Sequence, residues 1–222
     1  MSPERLDEHM MAVRVAKEFR NGMVVNLGFG IPTLASSYVP EDVEITIQSE
    51  NGVLGIGRIA VTEEEMNFNL VNASGQFATP LPGMAFFDHA ESFSMIRGGH
   101  IDLCVLGGLQ VSEKGDLANW LIPGREPGSI GGAMDLASGA TRLVVVMTHT
   151  TKEGEFKVLK KCSYALTAPE CVKRLITEIA VIDVVPEGMM LRETAPGWTA
   201  ADVQKLTEPK LILAPDLKEM QL

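Results

Sequence analysis

The segment Ser49-Glu50-Asn51-Gly52-Val53-Leu54-Gly55-Ile56-Gly57 sets one carboxylate at the end of an alternating apolar stretch and follows it with three glycines. Glycine has no side chain, so a ligand or a second backbone can come close to that acid. Two readings stand: an Asn-Gly turn with a solvated glutamate, or a carboxylate held out for chemistry. A second segment, Ile130-Gly131-Gly132-Ala133-Met134-Asp135, has two adjacent glycines ahead of a small residue. Bare backbone N–H groups of that kind can form an oxyanion hole. They can equally be a loop entering a helix whose first turn carries Asp135. The third segment, Asn26-Leu27-Gly28-Phe29-Gly30-Ile31-Pro32-Thr33, could cradle a phosphate or carboxylate on helix amides or be a tight structural turn. Thr33 occupies the third glycine position of a dinucleotide fingerprint, so that reading fails.

Other chemistries find less support. His9, His89, His100 and His149 show no HxxxH or HExxH spacing, and no metal site is expected. Cys104, Cys162 and Cys171 are odd in number and far apart, which predicts three reduced, mostly buried thiols in a cytoplasmic protein. No Gly-x-Ser-x-Gly elbow occurs. His100 reads as a structural histidine, Glu63-Glu64-Glu65 as a solvated acidic turn, and Met189-Met190 as core filler.

These residues need a scaffold, and the hydrophobic periodicity supplies one. Residues 3–22 read as a helix with a stop at Asn21-Gly22, 23–28 as an apolar strand, 29–39 as a helix entered through Pro32, and 43–48 as a second strand. Strand, crossover helix and strand form the unit of a parallel sheet. A helix at 91–99 and strands at 101–107, 141–150 and 210–215 continue the pattern. Residues 168–185 are expected to start as a helix after Pro169 and become a strand near Ala180. Thr199 caps a helix over 199–207, with Asp202 three residues on. The expectation is one α/β domain over residues 1–222 with a mostly parallel sheet flanked by helices, residues 1–6 being loosely ordered. Ligands in such folds bind in the loops after the carboxyl ends of strands.

The 222 residues, 45% hydrophobic and 22% charged, suffice for a full core. A net charge of −10 argues against nucleic acid or an anionic membrane as partner. No apolar run reaches eighteen residues, so no membrane-spanning helix is expected.

Taken together, "VNLGFGIPT", "QSENGVLGIG", "SFSMIRGGHIDLCVLGGLQVS", "KGDLANWLIPG", "GGAMDL" and "KCSYALTAPECVKRLITEIAVIDV" resemble one family, in unbroken order from Asp7 to Leu222. It is the B (β) subunit of 3-oxoacid CoA-transferases of the succinyl-CoA:acetoacetate type. The resemblance implies the CoA-transferase or sugar-phosphate-isomerase-like fold. It implies a ping-pong transfer of CoA between an acyl-CoA and a carboxylic acid, with Glu50 as nucleophile and a glutamyl-CoA thioester as intermediate. It assigns an oxyanion role to Gly132. Asn26, Gly28, Gly30, Asn51, Gln76, Gly131 and Ala133 fall to substrate or CoA binding. No metal or cofactor is implied beyond the CoA thioester substrate, and the partner is an A (α) subunit in an α2β2 assembly. One departure is "NASGQ" (72–76) where the family pattern has a lysine. With Gln76 at that place, a monocarboxylate or an otherwise substituted acid is expected in place of succinate. An acyl-CoA hydrolase on the same scaffold and a non-catalytic ligand-binding module remain the alternatives.

Overall fold

The structure, a computed structural model, describes residues 3–126 and 129–222. It begins with α1 (Glu8–Ala16), capped by the Asp7 side chain, which accepts from the Met10 amide. Then come β1 (Val24–Leu27), the short α2 (Ile31–Leu34) with Pro32 in its first turn, and the strands β2 (Thr46–Ser49), β3 (Val53–Ile59) and β4 (Ala78–Phe86). Next are α3 (His89–Arg97), β5 (Leu103–Gly107), β6 (Gln110–Ser112), β7 (Leu117–Ala118) and α4 (Ala133–Gly139). The chain closes with β8 (Leu143–Val146), β9 (Val158–Leu159), β10 (Val172–Ile176), β11 (Ala180–Val185), β12 (Gly188–Thr194), α5 (Ala200–Lys205) and β13 (Leu211–Glu219).

Ten strands make one sheet in the order β13-β12-β11-β10-β8-β5-β1-β2-β3-β4, and β7-β6-β9 form a small second sheet. The centre of the large sheet, β10-β8-β5-β1-β2, is wholly parallel. β2-β3-β4 on one side and β10-β11-β12 on the other are antiparallel, and β13 returns parallel to β12. The parallel centre follows from sequence. Val25, Leu103, Val105, Val144 and Val145 are fully buried, as expected where helices cover both faces and a strand loses its polar alternation. α1 lays Met11, Ala12, Val15 and Ala16 into the same core. The α1–β1–α2–β2 order matches the expected crossover unit, and Thr199 caps α5 by accepting from the Asp202 amide.

One expectation is overturned. Residues 169–179 are not a helix: Val172–Ile176 is β10, paired parallel to β8 and antiparallel to β11. Glu170, with φ of 50°, breaks any helical entry after Pro169. Thr177-Glu178-Ile179 then makes a tight return, with the Thr177 amide donating to the Ala180 carbonyl (2.8 Å). The apolar residues Val172, Leu175 and Ile176 satisfied a helical spacing, but sheet contacts on both sides decide the state.

The start of the chain, expected to be loose, is described from Pro3. Leu6 N–H donates to the Glu178 carbonyl (3.1 Å), Trp198 Nε1 to the Glu4 carbonyl (2.9 Å), and Arg5 pairs with the Glu178 carboxylate. Cys104 is buried and Cys162 and Cys171 are half-buried, all three as free thiols. Among the described residues no helix is long and apolar enough to cross a membrane, and no group of His, Cys, Asp and Glu could hold a metal ion.

Beyond the ends of β8 and β10 the chain buries a histidine. His149 is fully buried, with Nδ1 3.0 Å from Thr177 Oγ1 and Nε2 2.9 Å from Thr207 Oγ1, and its amide donates to Glu178 (2.7 Å). Burial, with repulsion from Arg5 and Lys157, lowers its pKa to about 3. A folded pKa below the unfolded value means that the unfolded chain binds the extra proton. The neutral His149 therefore contributes its full stability above about pH 6.5 and loses it as pH falls toward 3. Urea unfolding should show a loss of about 2 kcal/mol between neutral pH and pH 5. In His149→Gln the slope should flatten down to about pH 4.5, below which Glu18, with its pKa lowered to about 2, adds its own.

Candidate active site

The parallel centre also fixes where a ligand can bind. From β1 the chain crosses to β2 on one side, whereas β5 leads to β8 on the other. The adjacent carboxyl ends of β1 and β5 therefore border a crevice, the usual ligand position in such sheets. A cavity of about 590 Å³ opens there. Asn26 to Phe29 from the end of β1 and Leu106 to Leu109 from the end of β5 line it.

Glu50 enters this cavity from the hairpin between β2 and β3. The Gly52 amide donates to the Ser49 carbonyl (3.0 Å), closing a turn over Glu50 and Asn51. Gly52 has φ of 111°, and a Cβ on it would collide with the Phe87 carbonyl oxygen. The Phe87 amide in turn donates to the Gly52 carbonyl (3.0 Å). Glycine is thus required to pack the hairpin on the chain entering α3, and this packing aims the glutamate.

Across the cavity the loop before α4 brings its two glycines against the carboxylate. A Cβ on Gly132 would overlap Glu50 Oε2 and stand 2.8 Å from Phe93 Cζ; one on Gly131 would be 3.6 Å from Glu50 Oε1. Gly131 also has φ of 50°, in the region that favours glycine. The contact is therefore carboxylate to bare backbone. Burial raises the Glu50 pKa, against the opposing effects of the neighbouring Gly132 amide and of His89, while Asp135 adds a smaller upward push. Asp135 is itself held by Arg97 Nε (2.7 Å). The outcome is a half-buried carboxylate of raised basicity facing a void.

Below it lies a polar ladder. Asn26 Nδ2 donates to Gln48 Oε1 (2.6 Å) and to the Gln48 carbonyl (3.2 Å), and Gln48 Nε2 donates to Ser92 Oγ (2.8 Å). All three residues are buried. They tie β1, β2 and α3 together beneath the glutamate, and Gln48 lies two residues before it in the chain.

Of the residues singled out in the sequence, Glu50, Asn26, Gly28, Gly131, Gly132 and Ala133 line this cavity. Three others do not. Gly30 caps α2 with φ of 84°. The Asn51 side chain points back, donating to the Val71 carbonyl (2.9 Å). Gln76 accepts from Asn72 Nδ2 (3.3 Å) within a closed loop whose amides at 74 and 76 both donate to Asn72 Oδ1. The side chain at position 76 is therefore not part of the cavity wall. The residues of that loop that line the cavity are Ala73 and Ser74. Sequence reasoning also passed over Gln48, Ser92 and Asn119, the last donating to the Gly107 carbonyl (3.2 Å) and accepting from Thr167 Oγ1 (2.6 Å). The available signal was an amide side chain inside an otherwise apolar strand at Asn26 and again at Gln48.

Residues 8–206 match the pattern of the coenzyme A transferase family. The chain belongs to that family. It is 48% identical, over 93% of its own length and 94% of the relative's, to the acetate CoA-transferase beta chain of Escherichia coli (strain K12). Identity is 50% to the B (β) subunit of the probable succinyl-CoA:3-ketoacid coenzyme A transferase of Bacillus subtilis (strain 168), over 89% and 91% of the two chains. Among solved structures, an acyl-CoA transferase apoenzyme from Escherichia coli O157:H7 superposes with a TM-score of 0.75 at 20% identity. That match covers all of this chain but only 44% of the other, so this coenzyme A transferase chain spans less than half the length of that structure, and the likeness shows the fold alone.

The glycine contact is directly testable. Gly132→Ala should displace the Glu50 carboxylate from the loop, because Phe93 blocks the other direction. A crystal structure of the variant would show the Glu50 side chain in a new rotamer, and an unmoved carboxylate would refute the close approach.

Proposed function

We propose that this chain is the subunit of a CoA-transferase that carries the nucleophile, and that Glu50 is that nucleophile. The observation that supports it most directly is the half-buried Glu50 carboxylate set against the bare Gly131-Gly132 backbone in the cavity at the strand ends. A Glu50 oxygen attacks the thioester carbonyl of an acyl-CoA. The C–S bond breaks, giving an acyl-glutamyl anhydride and CoA thiolate. The thiolate then attacks the glutamyl carbonyl, forming the glutamyl-CoA thioester and releasing the first acid as its carboxylate. A second carboxylic acid runs the sequence in reverse and leaves as its own acyl-CoA. A carboxylate is a suitable relay because the donor, the glutamyl intermediate and the product are all thioesters of carboxylic acids, so CoA passes between states of similar energy and is not trapped.

The geometry gives each neighbour a part. Burial strips water from the carboxylate and raises its basicity, which strengthens it as a nucleophile in its ionised form. The Gly132 amide lies beside a Glu50 oxygen and is suited to stabilise the oxyanion formed when thiolate attacks the glutamyl carbonyl. The Asn26–Gln48–Ser92 ladder fixes the floor under the reacting side chain. The relatives' names support a partner A (α) chain, which we place in an α2β2 assembly acting in the cytoplasm on short-chain acids of the 3-oxo class.

The test uses the chain with its partner subunit and an acyl-CoA donor, without acceptor. Borohydride should then reduce the side chain in the peptide containing Glu50, and Glu50→Ala should lower kcat for transfer by roughly 10⁴-fold or more. Transfer that persists in Glu50→Ala, or CoA release that never needs an acceptor acid, would overturn the reading. Because the Gln76 side chain is tied to Asn72, Gln76→Lys should leave the ratio of succinyl-CoA to acetoacetyl-CoA use within about threefold, under 1 kcal/mol of discrimination.

A further inference from the structure

Away from the Glu50 cavity, a second pocket of about 200 Å³ opens beside the end of α1 that leads into β1. Glu50 stands at the carboxyl ends of the central strands, so this pocket belongs to the opposite end of the sheet. Its lining is unusual for a chain of net charge −10: Arg14, Lys17, Arg20, Arg174 and Lys218 against two carboxylates, Glu18 and Glu193.

Both carboxylates are already saturated by arginine. Glu18 is buried and takes Arg14 Nη1 (2.8 Å), Arg174 Nη1 (2.8 Å) and Arg142 Nη2 (2.8 Å). Glu193 takes Arg14 Nε (2.7 Å) and Nη2 (3.0 Å) in a two-pronged contact. Arg174 directs its remaining nitrogens to Asp183 (2.6 and 3.0 Å). This floor is rigid and ionised, with the Glu18 pKa lowered to about 2 against the cost of burial. Nothing in it neutralises the cations at the rim. Lys17 and Lys218 are exposed and enter no ion pair among the described residues. Arg20 folds one nitrogen onto the Lys17 and Phe19 carbonyls (2.7 Å each), which steadies its guanidinium beside the pocket and leaves its other donors over.

We propose that this pocket is a binding site for a phosphate or diphosphate group, held by Lys17, Arg20 and Lys218 over the Arg14–Glu18–Arg174 floor. Like charges gathered around a concave, partly desolvated space raise the local potential, and a multivalent oxyanion relieves it through several charge-assisted hydrogen bonds at once. The volume of about 200 Å³ admits the anion itself, and any larger molecule bearing it would extend into solvent.

Isothermal titration of the full chain at constant ionic strength, with inorganic diphosphate and with ADP as probes, tests this. Saturable binding of either probe should weaken about tenfold or more in Lys17→Gln/Lys218→Gln, the equivalent of one charge-assisted contact. A preference for ADP would point to a carried phosphate and a preference for diphosphate to the free anion, each supporting the site. Both lysines are exposed, so thermal unfolding of the double variant in chloride should match that of the parent. If neither probe binds above matched sodium chloride, or if binding is unchanged in the double variant, the proposal is wrong.

Discussion

The organisation of the site turns on one steric fact: no side chain fits between the Gly132 backbone and the Glu50 carboxylate. A glutamate on a hairpin tip would ordinarily be solvated, with unexceptional acidity. Here the loop before α4 closes on it, Phe93 of α3 backs the contact, and the acid becomes half-buried while still opening onto a void. Burial disfavours the charged form and the adjacent amide favours it, so the group stays ionisable but more basic than usual. A carboxylate placed this way suits the nucleophile's part proposed for it, since it is partly stripped of water yet still open to a ligand.

That contact requires three separate pieces of chain to meet. β2 and its hairpin carry the acid, α3 carries the ring behind the glycines, and the loop into α4 carries the amides. The Asn26–Gln48–Ser92 ladder joins the first two below the surface, and a ladder whose buried members are all hydrogen-bonded holds one arrangement rather than several. The crevice itself exists because β1 and β5 send their connections in opposite directions. The site therefore sits where the topology leaves room, and at Gly107, where a Cβ would meet nothing nearer than the Phe29 carbonyl at 3.9 Å, no side chain intrudes on it.

On the other side of the molecule a charged cluster is buried beside the apolar face of α1. Glu18 is buried among Arg14, Arg142 and Arg174, and such a cluster is costly to assemble but more costly to break, since removing one partner strands a charge away from water. The cluster joins α1 to β10 and β12, the elements that frame the sheet's far half. It also leaves a rim of uncompensated cations in a chain that is otherwise acidic.

By itself the sequence determined the parallel centre, because apolar runs such as "VVNL" and "LVVV" can be satisfied only between covering layers, and it determined the family through motifs in fixed order. Glu50 and the paired glycines were legible as candidates, since a lone acid among glycines and two bare amides are visible in one dimension. Their meeting was not, because Glu50 and Gly132 are far apart in the chain and only the packed sheet brings them into contact. The same limit explains residues 169–179. Their apolar spacing fits a helix as well as a strand, and the neighbours β8 and β11 decided for the strand. It explains Asn51 and Gln76 as well, whose side chains turn to Val71 and Asn72 although Glu50 and Ser74, close by in the chain, line the cavity. Side-chain type and spacing are local properties that a sequence carries in full, whereas the direction a side chain takes depends on hydrogen-bond partners that only the tertiary structure supplies.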